Sequence, residues 1–437
     1  MKLEFISNTG FYLEHKGVVL GMDLWLTQGA FEGSWFHYPP LRQTRHQVSD
    51  CKYIYISHIH PDHCDFHALQ QARHDTIFIV PNYFNCLIER KLRAFGFSKV
   101  VSLAPNDVIE LEPGLRVKLY PQFVNNLFHE AAFGNLIDSA ILVEWDGKKI
   151  LNCNDNYLTD EWARKLKEEI SSLDLLLSPH SASGPYPASF RNLSLEEKEL
   201  EASRLRKQYV THWVDTAEIL GPRLVVPCAA EYVVVGELCW KNPYIGLAEA
   251  KDAVAEFLRR QGENPRTKPV QLDCGAILDV ESGAVDGLPI RLPSEDSRQD
   301  FIQRHKNIPF AYQWEDSFVG ADFDALMRAS RSNVWQKQGR LGWKKDYNLY
   351  LTIDEVPCYA FNFYRDSVEV LAGHELMRKE PYLECFLTRQ LFYQILTKRA
   401  HWNNAEGGLH IDFSRRPNEY VPEVFTLLAF LHAEGAK

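Results

Sequence analysis

Residues 53–69, YIYISHIHPDHCDFHAL, place three histidines and an aspartate within six positions, directly after an apolar run. The run predicts a buried strand, and DFHALQQARH (residues 65–74) predicts a helix, so the polar side chains lie on a loop at a strand end. Loops held by a rigid sheet often carry functional side chains. The four side chains are those of His58, His60, Asp62 and His63.

These four side chains suit a metal site. Imidazole nitrogens and carboxylate oxygens are ligands of first-row metals such as zinc and iron. On an extended turn, residues two apart point the same way, so His58 and His60 can hold one ion. Asp62 and His63 can face a second ion about 3.5–4 Å away. The alternative is a polar surface turn, which would explain a single histidine better than four such side chains.

Composition limits the range of partners. The chain has 437 residues, of which 45% are hydrophobic and 24% charged, as in ordinary folded proteins. Because domains usually run to about 100–200 residues, we expect two domains or one large domain with an extension. The formal net charge of −10 argues against nucleic acid as a partner, since phosphate binding needs clustered Lys and Arg. A local basic pocket for an anionic small molecule stays compatible with this charge.

The sequence predicts a cytoplasmic protein. Nine cysteines are scattered without a CxxC pair, which is typical of reduced thiols. The start, MKLEFISNTGFYLEHKG, lacks the pattern of a signal peptide. No run of about 18 apolar residues occurs, so we expect no membrane partner.

Strand patterns dominate the first 160 residues, and helices and strands alternate afterwards. Asp146-Gly147 predicts a hairpin turn, and Ser194 with Glu197 predicts a capping box at the start of a long helix. We expect loops over residues 261–300. Predicted strands are KLEFISNTGFYLEHKGVVLGMDLWL (2–26, several strands), KYIYIS (52–57), TIFIVP (76–81), SAILVEWDGKKILN (139–152), YNLYLTI (347–353) and CYAFNFY (358–364); predicted helices are SLEEKELEASRLRKQYVTHWVDTAEILG (194–221), FDALMRASRSNVWQK (323–337) and YLECFLTRQLFYQILTKRA (382–400). The alternation predicts an α/β layered fold.

The histidine loop resembles the metal-binding signature of the metallo-β-lactamase superfamily. GVVLGMDLW (17–25) resembles its second-strand segment, which ends in an Asp near the site, here Asp23. ILVEWDGKKILNCNDN (141–156) resembles the hairpin whose terminal Asp bridges both metals, here Asp155. The resemblance implies an α/β fold, the metallo-β-lactamase αββα sandwich with a C-terminal α+β extension. We expect a catalytic domain over residues 1–260 and an extension over residues 261–437 that packs on it and shapes the substrate pocket.

Within the superfamily, the chain is similar to the catalytic part of the CMP-N-acetylneuraminate hydroxylases. DLWLTQGAFEGSW (23–35), SASGPYPASF (181–190) and RLVVPCAAEYVV (223–234) carry this likeness together with the histidine loop. It implies a small-molecule substrate, anionic or sugar-nucleotide-like.

Two departures from these relatives affect the expected chemistry. Those hydroxylases also carry a Rieske domain, which needs paired Cys and His motifs that are absent here. We therefore expect a separate electron donor. Superfamily hydrolases usually end their ligand set with a His after a VP strand end, where this chain has Cys228, Ala229 and Ala230.

The resemblance implies the remaining ligands. His129 matches the third ligand position of the first metal, and Glu130 competes with it because a carboxylate suits iron. Asp155 matches the bridging carboxylate. His180 follows an apolar strand and can replace the missing last ligand, the alternative being a substrate-facing or capped histidine. The predicted metal set is His58, His60, Asp62, His63, His129, Asp155 and His180.

Two enzymatic functions are compatible with this set. The first is a non-haem diiron oxygenase or hydroxylase of a small molecule, with two iron ions. The second is a dinuclear zinc hydrolase of an ester, amide or phosphodiester, in which the metals lower the pKa of a bridging water. A metal-stabilised binding protein fits less well, since closed four-ligand zinc makes a simpler structural site. We favour oxidation, because the chain is similar to the hydroxylases and because the usual last hydrolase ligand is missing.

Overall fold

The secondary structure is taken from a computed structural model. It describes residues 1–83, 86–124, 138–261, 266–287, 295–314, 316, 318–354, 358–371 and 377–433. The strands, in chain order, are Lys2–Ser7 (β1), Gly10–His15 (β2), Val18–Met22 (β3), Trp35–His37 (β4), Tyr53–Tyr55 (β5), Ile77–Pro81 (β6), Val100–Leu103 (β7), Val108–Glu112 (β8), Leu115–Pro121 (β9), Ser139–Trp145 (β10), Lys148–Asn152 (β11), Leu175–Pro179 (β12), Leu224–Cys228 (β13), Tyr232–Val234 (β14), Lys268–Pro269 (β15), Ile277–Asp279 (β16), Val285–Asp286 (β17), Asn348–Ile353 (β18), Cys358–Asn362 (β19), Glu369–Leu371 (β20), Tyr382–Leu387 (β21) and Asp412–Arg416 (β22).

The described residues also form α-helices. In chain order they are Phe66–Leu69 (α1), Leu87–Ala94 (α2), Asp160–Ile170 (α3), Leu195–Leu220 (α4), Ala250–Gln261 (α5), Glu295–His305 (α6), Phe323–Leu341 (α7), Arg389–Leu396 (α8), Trp402–Gly407 (α9) and Pro422–Leu428 (α10). Within the described ranges, none of these helices combines the length and apolarity that crossing a bilayer requires.

Two mixed sheets face each other and bury one core between them. The first has the order β17-β16-β1-β2-β3-β5-β6-β7 and the second β15-β13-β12-β11-β10-β9-β8. Apolar side chains of the first sheet, such as Leu13 and Ile79, share a cluster with Val143 and Leu177 of the second. This burial of one face of each sheet is what joins the two layers.

Helices cover the two outer faces. On the first sheet, Leu69 of α1 and Leu92 of α2 pack with Phe78. On the second sheet, Leu166 of α3 and Trp213 of α4 belong to one apolar cluster with strand residues. The layers are therefore helix, sheet, sheet, helix, which confirms the predicted αββα sandwich.

A five-stranded sheet, in the order β20-β19-β18-β21-β22, forms a further layer with helices α7, α8 and α10. It contacts the sandwich directly. Phe413 of β22 bridges to Phe190, and the buried Lys241 ammonium donates to Asp412 Oδ1 at 2.6 Å. Trp35 Nε1 donates to the carbonyl of Gly407 at 3.2 Å.

Two secondary-structure expectations were wrong. Residues 261–300 contain β15, β16 and β17, and β16 pairs with β1, so this segment completes the sandwich sheets. These strands are only two or three residues long, too short for periodicity to reveal. Residues 382–387, expected to be helical, form β21 at the interior of the five-stranded sheet, where pairing with both neighbours outweighs local propensity. The division of the chain at residue 260 stays a prediction.

Candidate metal centre

The histidine loop joins β5 to α1 at the edge where the parallel strands of the first sheet end. Asp65 fixes its far end in two ways. Its Oδ1 caps α1 by accepting from the backbone N–H groups of His67 and Ala68, each at 3.1 Å. Its Oδ2 accepts from the backbone N–H of Thr27 at 2.8 Å, which ties the loop to the segment after β3. The loop is therefore held from both sides before any metal binds.

His58 and His60 turn one nitrogen each toward the same point. His58 Nε2 lies 2.9 Å from His60 Nδ1. The other nitrogen of His58, Nδ1, lies 2.9 Å from Ser57 Oγ and 3.2 Å from Asp138 Oδ1. Histidine ligands commonly donate their second ring N–H to a carboxylate or hydroxyl group, which fixes the tautomer. This pair has the arrangement of two ligands of one ion.

His63 faces two carboxylates with the nitrogen that can ligate. Its Nε2 lies 3.3 Å from Asp62 Oδ2 and 3.1 Å from Asp155 Oδ2. Its Nδ1 lies 2.8 Å from Asp23 Oδ2, so the tautomer is again set by a carboxylate. Candidate ligand atoms of His58, His63 and Asp155 all lie within 4.8 Å of one another, which makes them a group able to hold a metal ion.

Asp23 positions both the histidine loop and the side chain of His63. It is fully buried at the end of β3. Its Oδ1 accepts from the backbone N–H of Ser57 at 2.8 Å, and its Oδ2 accepts from Ser57 Oγ at 2.6 Å. On the other side, Asn8 Nδ2 donates to Asp62 Oδ2 at 2.9 Å. Asp23 and Asp62 are thus each oriented by a neighbour.

The donor set fits a cation. Asp62 is 2% exposed, and its Oδ1 has no hydrogen-bond partner among the residues that the structure describes. A buried carboxylate oxygen without a partner is costly, because it has lost its water and gained nothing. A metal ion held by Asp62, His63 and Asp155 would remove that cost. Imidazole nitrogens and carboxylate oxygens in this mixture suit both iron and zinc.

The electrostatics of the candidate centre favour neutral imidazoles at His58 and His60 and a protonated imidazole at His63. Burial, reinforced by the neighbouring imidazoles, lowers the pKa of His58 and of His60 to about 4, so both are ready to ligate. Burial also acts to lower the pKa of His63, but the charges of Asp62, Asp155 and Asp23 outweigh it and raise that pKa well above its usual value. The carboxylates therefore attract a cation even when no metal is bound.

These features together identify the architecture. An αββα sandwich, a His-x-His-x-Asp-His loop after an inner strand, and an aspartate beside it at the end of β11 occur in one chain. The chain has the metallo-β-lactamase fold. The predicted fold class is confirmed.

Two further predicted ligands are His129 and His180. His129 lies outside the described residues, and so does its competitor Glu130. His180 is described, and the structure does not bring it to the centre. Its Nδ1 lies 2.9 Å from the carbonyl oxygen of Cys228, and its Nε2 lies 3.1 Å from that of Ala248. Because both nitrogens face backbone carbonyls, the expectation that His180 replaces the last ligand is corrected.

In this chain, the segment directly after β13 contains no histidine. β13 ends at Cys228, which is fully buried, and Ala229 adopts a positive φ of 70° that turns the chain toward β14. Burial raises the pKa of the Cys228 thiol well above its usual value, so it stays protonated. Among the described residues, this segment offers no imidazole to the centre.

Sequence reasoning missed several supporting residues. Asp138 stands just before β10, and its pKa is raised to about 6, chiefly by burial. Ser57 and Asn8 orient the carboxylates of Asp23 and Asp62 from the segments after β5 and β1. The only sequence signal was local: Asp65 before FHAL has the pattern of a helix N-cap. The other contacts join residues far apart in the chain.

Comparison with curated proteins finds distant relatives. No protein-family model matches the chain. A candidate Rieske 2Fe-2S iron-sulfur protein of Mycolicibacterium smegmatis is 23% identical over 245 residues, which are 56% of this chain and 45% of that protein. A protein of the same description from Mycobacterium tuberculosis is 22% identical over 231 residues, 52% of this chain and 43% of that protein. The chain thus spans less than half the length of the curated relatives it matches.

Solved structures with the metallo-β-lactamase fold are also similar. The diiron beta-hydroxylase CmlA from Streptomyces venezuelae has a TM-score of 0.42 at 17% identity, covering 62% of this chain and 53% of that one. The isothiocyanate hydrolase from Delia radicum gut bacteria has 0.42 at 16%, covering 64% and 98%. The metallo-beta-lactamase fold protein YhfI from Bacillus subtilis has 0.37 at 12%, covering 63% and 97%. At TM-scores this low, the fold rests on the strand order and the histidine loop of the chain itself.

Proposed function

We propose that the chain is a non-haem diiron oxygenase that hydroxylates a small molecule. In this proposal His58 and His60 hold one ion, together with His129 or Glu130. Asp62 and His63 would hold the other, with Asp155 as the carboxylate shared by both. When bound, a pair of iron ions supplies the chemistry of C–H hydroxylation, which consumes one O₂, two electrons and two protons and leaves the hydroxylated product and water.

The side chains of this protein have three tasks in that reaction. Asp138 and Asp23 hold the tautomers of His58 and His63, so that Nε2 of each faces the metal. Burial keeps His58 and His60 in the uncharged imidazole form at neutral pH. Asp155, whose Oδ2 lies 3.1 Å from His63 Nε2, would supply a charged oxygen to the metal.

The preference for oxidation rests on the missing imidazole at the end of β13. Hydrolases of this superfamily usually place their last imidazole there. Here the position holds the buried, protonated Cys228, and His180 does not fill the gap. An ion with fewer protein ligands keeps open positions, which an O₂-activating iron site requires.

Electrons need a donor, and we propose one of the Rieske type. The proposal draws on the curated relatives, which are described as Rieske 2Fe-2S iron-sulfur proteins. A Rieske cluster carries one electron at a time, so two transfers serve each turnover. The separate electron donor expected from the sequence is, in this proposal, such a protein.

A zinc hydrolase is the competing function, and the three imidazoles of His58, His60 and His63 favour it, since they suit zinc as well as iron. Loading the metal-free protein with either Fe(II) or Zn(II) separates the two functions. The iron protein should take up about two ions, absorb visible light, bleach on chemical reduction and recover with O₂. The zinc protein should hydrolyse p-nitrophenyl acetate and bis(p-nitrophenyl) phosphate no faster than the metal-free chain.

His60→Ala should abolish the O₂ response, and His67→Ala is the matched control. His67 lies on α1 close to the loop, and its side chain is exposed to solvent. A colourless zinc protein that cleaves either ester in a manner dependent on His60 would establish the hydrolase instead.

A further inference from the structure

A cavity of about 440 Å³ lies beside the proposed metal centre, between the sandwich and the C-terminal layer. His60 and Cys64 of the histidine loop line one side of it. Leu87 and Lys91 of α2 line a second side, and Phe430, just after α10, closes a third. A volume of this size matches a small-molecule site. The position beside His60 makes this cavity the natural place for a substrate.

Most of the cavity wall is apolar. Ile59, Phe66, Leu87, Ala429 and Phe430 all contribute to it. Leu87 is 52% exposed and so presents an apolar surface to the cavity. The wall therefore favours a ligand with an apolar body.

One cationic side chain stands in this wall. Of the described residues that line the cavity, Lys91 alone carries an ammonium or guanidinium group, and no Asp or Glu lines it. Its Nζ lies 4.4 Å from the centre of the Phe66 ring, and it forms no ion pair with the described part of the chain. The remaining polar lining consists of imidazoles and of neutral groups such as the Asn403 and Asn404 amides. A single unpaired ammonium favours a ligand with a single negative charge.

We propose that the cavity binds the substrate and that this substrate is an amphipathic small molecule with an apolar body and one anionic group held by Lys91. This inference rests on the proposed function, because it assigns the substrate class of the same centre. It departs from the sugar-nucleotide-like expectation. A sugar nucleotide presents phosphate and many hydroxyl groups, which the apolar wall leaves without partners.

Two fluorescent probes with the same aromatic body test this assignment on the full-length protein. 1-Anilinonaphthalene-8-sulfonate carries one negative charge, and N-phenyl-1-naphthylamine carries none. Binding of both is titrated with the wild type, Lys91→Met and Arg93→Met, with and without added Zn(II). Arg93 is the matched control, because it lies on the same helix but pairs with Glu89.

The wild type should bind the sulfonate more tightly than the neutral probe. Lys91→Met should weaken sulfonate binding about fivefold, the effect of one partly exposed ion pair, and should leave the neutral probe and the zinc content unchanged. Arg93→Met should leave the binding of both probes unchanged. Ala429→Trp fills the cavity and should remove binding of both, with the far-ultraviolet circular dichroism kept. 4-Phenylbutyrate should displace the sulfonate, and CMP should not.

Equal binding of the sulfonate by the wild type and Lys91→Met would overturn the inference, as would displacement by CMP rather than by 4-phenylbutyrate. Sulfonate binding that survives Ala429→Trp would place the probe elsewhere and overturn it too. These outcomes are distinct from failure of the proposed function. A chain that binds no metal but shows the Lys91-dependent preference would keep the cavity and refute the metal enzyme.

Discussion

At the scale of single residues, the centre depends on which nitrogen of each imidazole faces the metal. Asp23 accepts from Ser57 and lies 2.8 Å from His63 Nδ1, so it fixes both the loop and the His63 tautomer. A neutral amide at this position can present its NH₂ to the imidazole and stabilise the wrong tautomer. Asp23 is therefore a positioning residue for His63.

We predict that Asp23→Asn lowers metal affinity about 10- to 100-fold, the usual cost of losing such a partner. Competition with a chromophoric chelator for Zn(II) measures it. Asp75→Asn is the control, because Asp75 is an exposed carboxylate that pairs with Arg73. Affinities of Asp23→Asn and Asp75→Asn that agree with the wild type would contradict the positioning role.

Metal binding should release a proton from His63 at neutral pH. Its raised pKa keeps the metal-free imidazole protonated, whereas His58 and His60, with pKa values of about 4, are already neutral. Zn(II) added to the metal-free protein at pH 7 should therefore release about one proton per chain from this group. The affinity should rise with pH until the pKa of His63 is passed. Unbuffered titration with an indicator dye measures the release, and an undiminished release from His63→Ala would refute the assignment.

The sequence predicted part of the centre. His58, His60, Asp62 and His63 share one loop, so local spacing was enough to group them. Asp155 joined them only through the resemblance, and it lies 3.1 Å from His63. The contact between His58 and Asp138 was not predicted, because no local pattern links positions 80 residues apart.

At the scale of elements, the cap of α1 is the device that holds the histidine loop. Asp65 accepts hydrogen bonds from two backbone N–H groups of that helix. It also accepts hydrogen bonds from the backbone N–H groups of Leu26 and Thr27 and from the Thr27 hydroxyl group. Removing the carboxylate leaves these donors without a partner on both sides of the loop.

Asp65→Ala should lower the free energy of unfolding by about 2–3 kcal/mol, since a lost cap costs about 1 kcal/mol and unpaired buried donors add to it. Urea denaturation measures the change. Ser194→Ala, which removes the capping box at the exposed start of α4, should cost only about 1 kcal/mol. If the two variants were equally stable, the loop contacts of Asp65 would contribute nothing.

Local sequence signals predicted some elements and missed others. The capping box of Ser194 and Glu197 and the hairpin at Asp146-Gly147 were both confirmed, because these patterns act within a few residues. β21 was mistaken for helix, since YLECFL pairs with strand partners 26 or more residues away. β16 was missed because its partner β1 lies at the other end of the sequence that forms the sandwich.

At the scale of the whole molecule, a buried lysine joins the sandwich to the C-terminal layer. Lys241 Nζ donates to Asp412 Oδ1 at 2.6 Å, to the carbonyl of Leu409 at 2.7 Å and to Ser189 Oγ at 3.0 Å. The side chain is 2% exposed. The same C-terminal layer provides part of the cavity beside His60, so its attachment matters for the substrate as well as for stability.

Lys241→Met should lower the free energy of unfolding by about 2–4 kcal/mol, because it leaves a carboxylate and two further acceptors without their buried cation. Arg191→Met, which removes the half-exposed second partner of Asp412, should cost about 1 kcal/mol or less. Urea denaturation followed by tryptophan fluorescence compares the two. A smaller loss for Lys241→Met than for Arg191→Met would contradict this view of the junction.

The metal content of the purified protein tests the central claim most directly. Elemental analysis of the wild type, His63→Ala and His67→Ala, all purified without added metal, gives ions per chain. We predict about two ions, chiefly iron, in the wild type and His67→Ala, and one or fewer in His63→Ala. A wild-type chain that holds almost no metal, or the same content in all three proteins, would contradict the dinuclear centre.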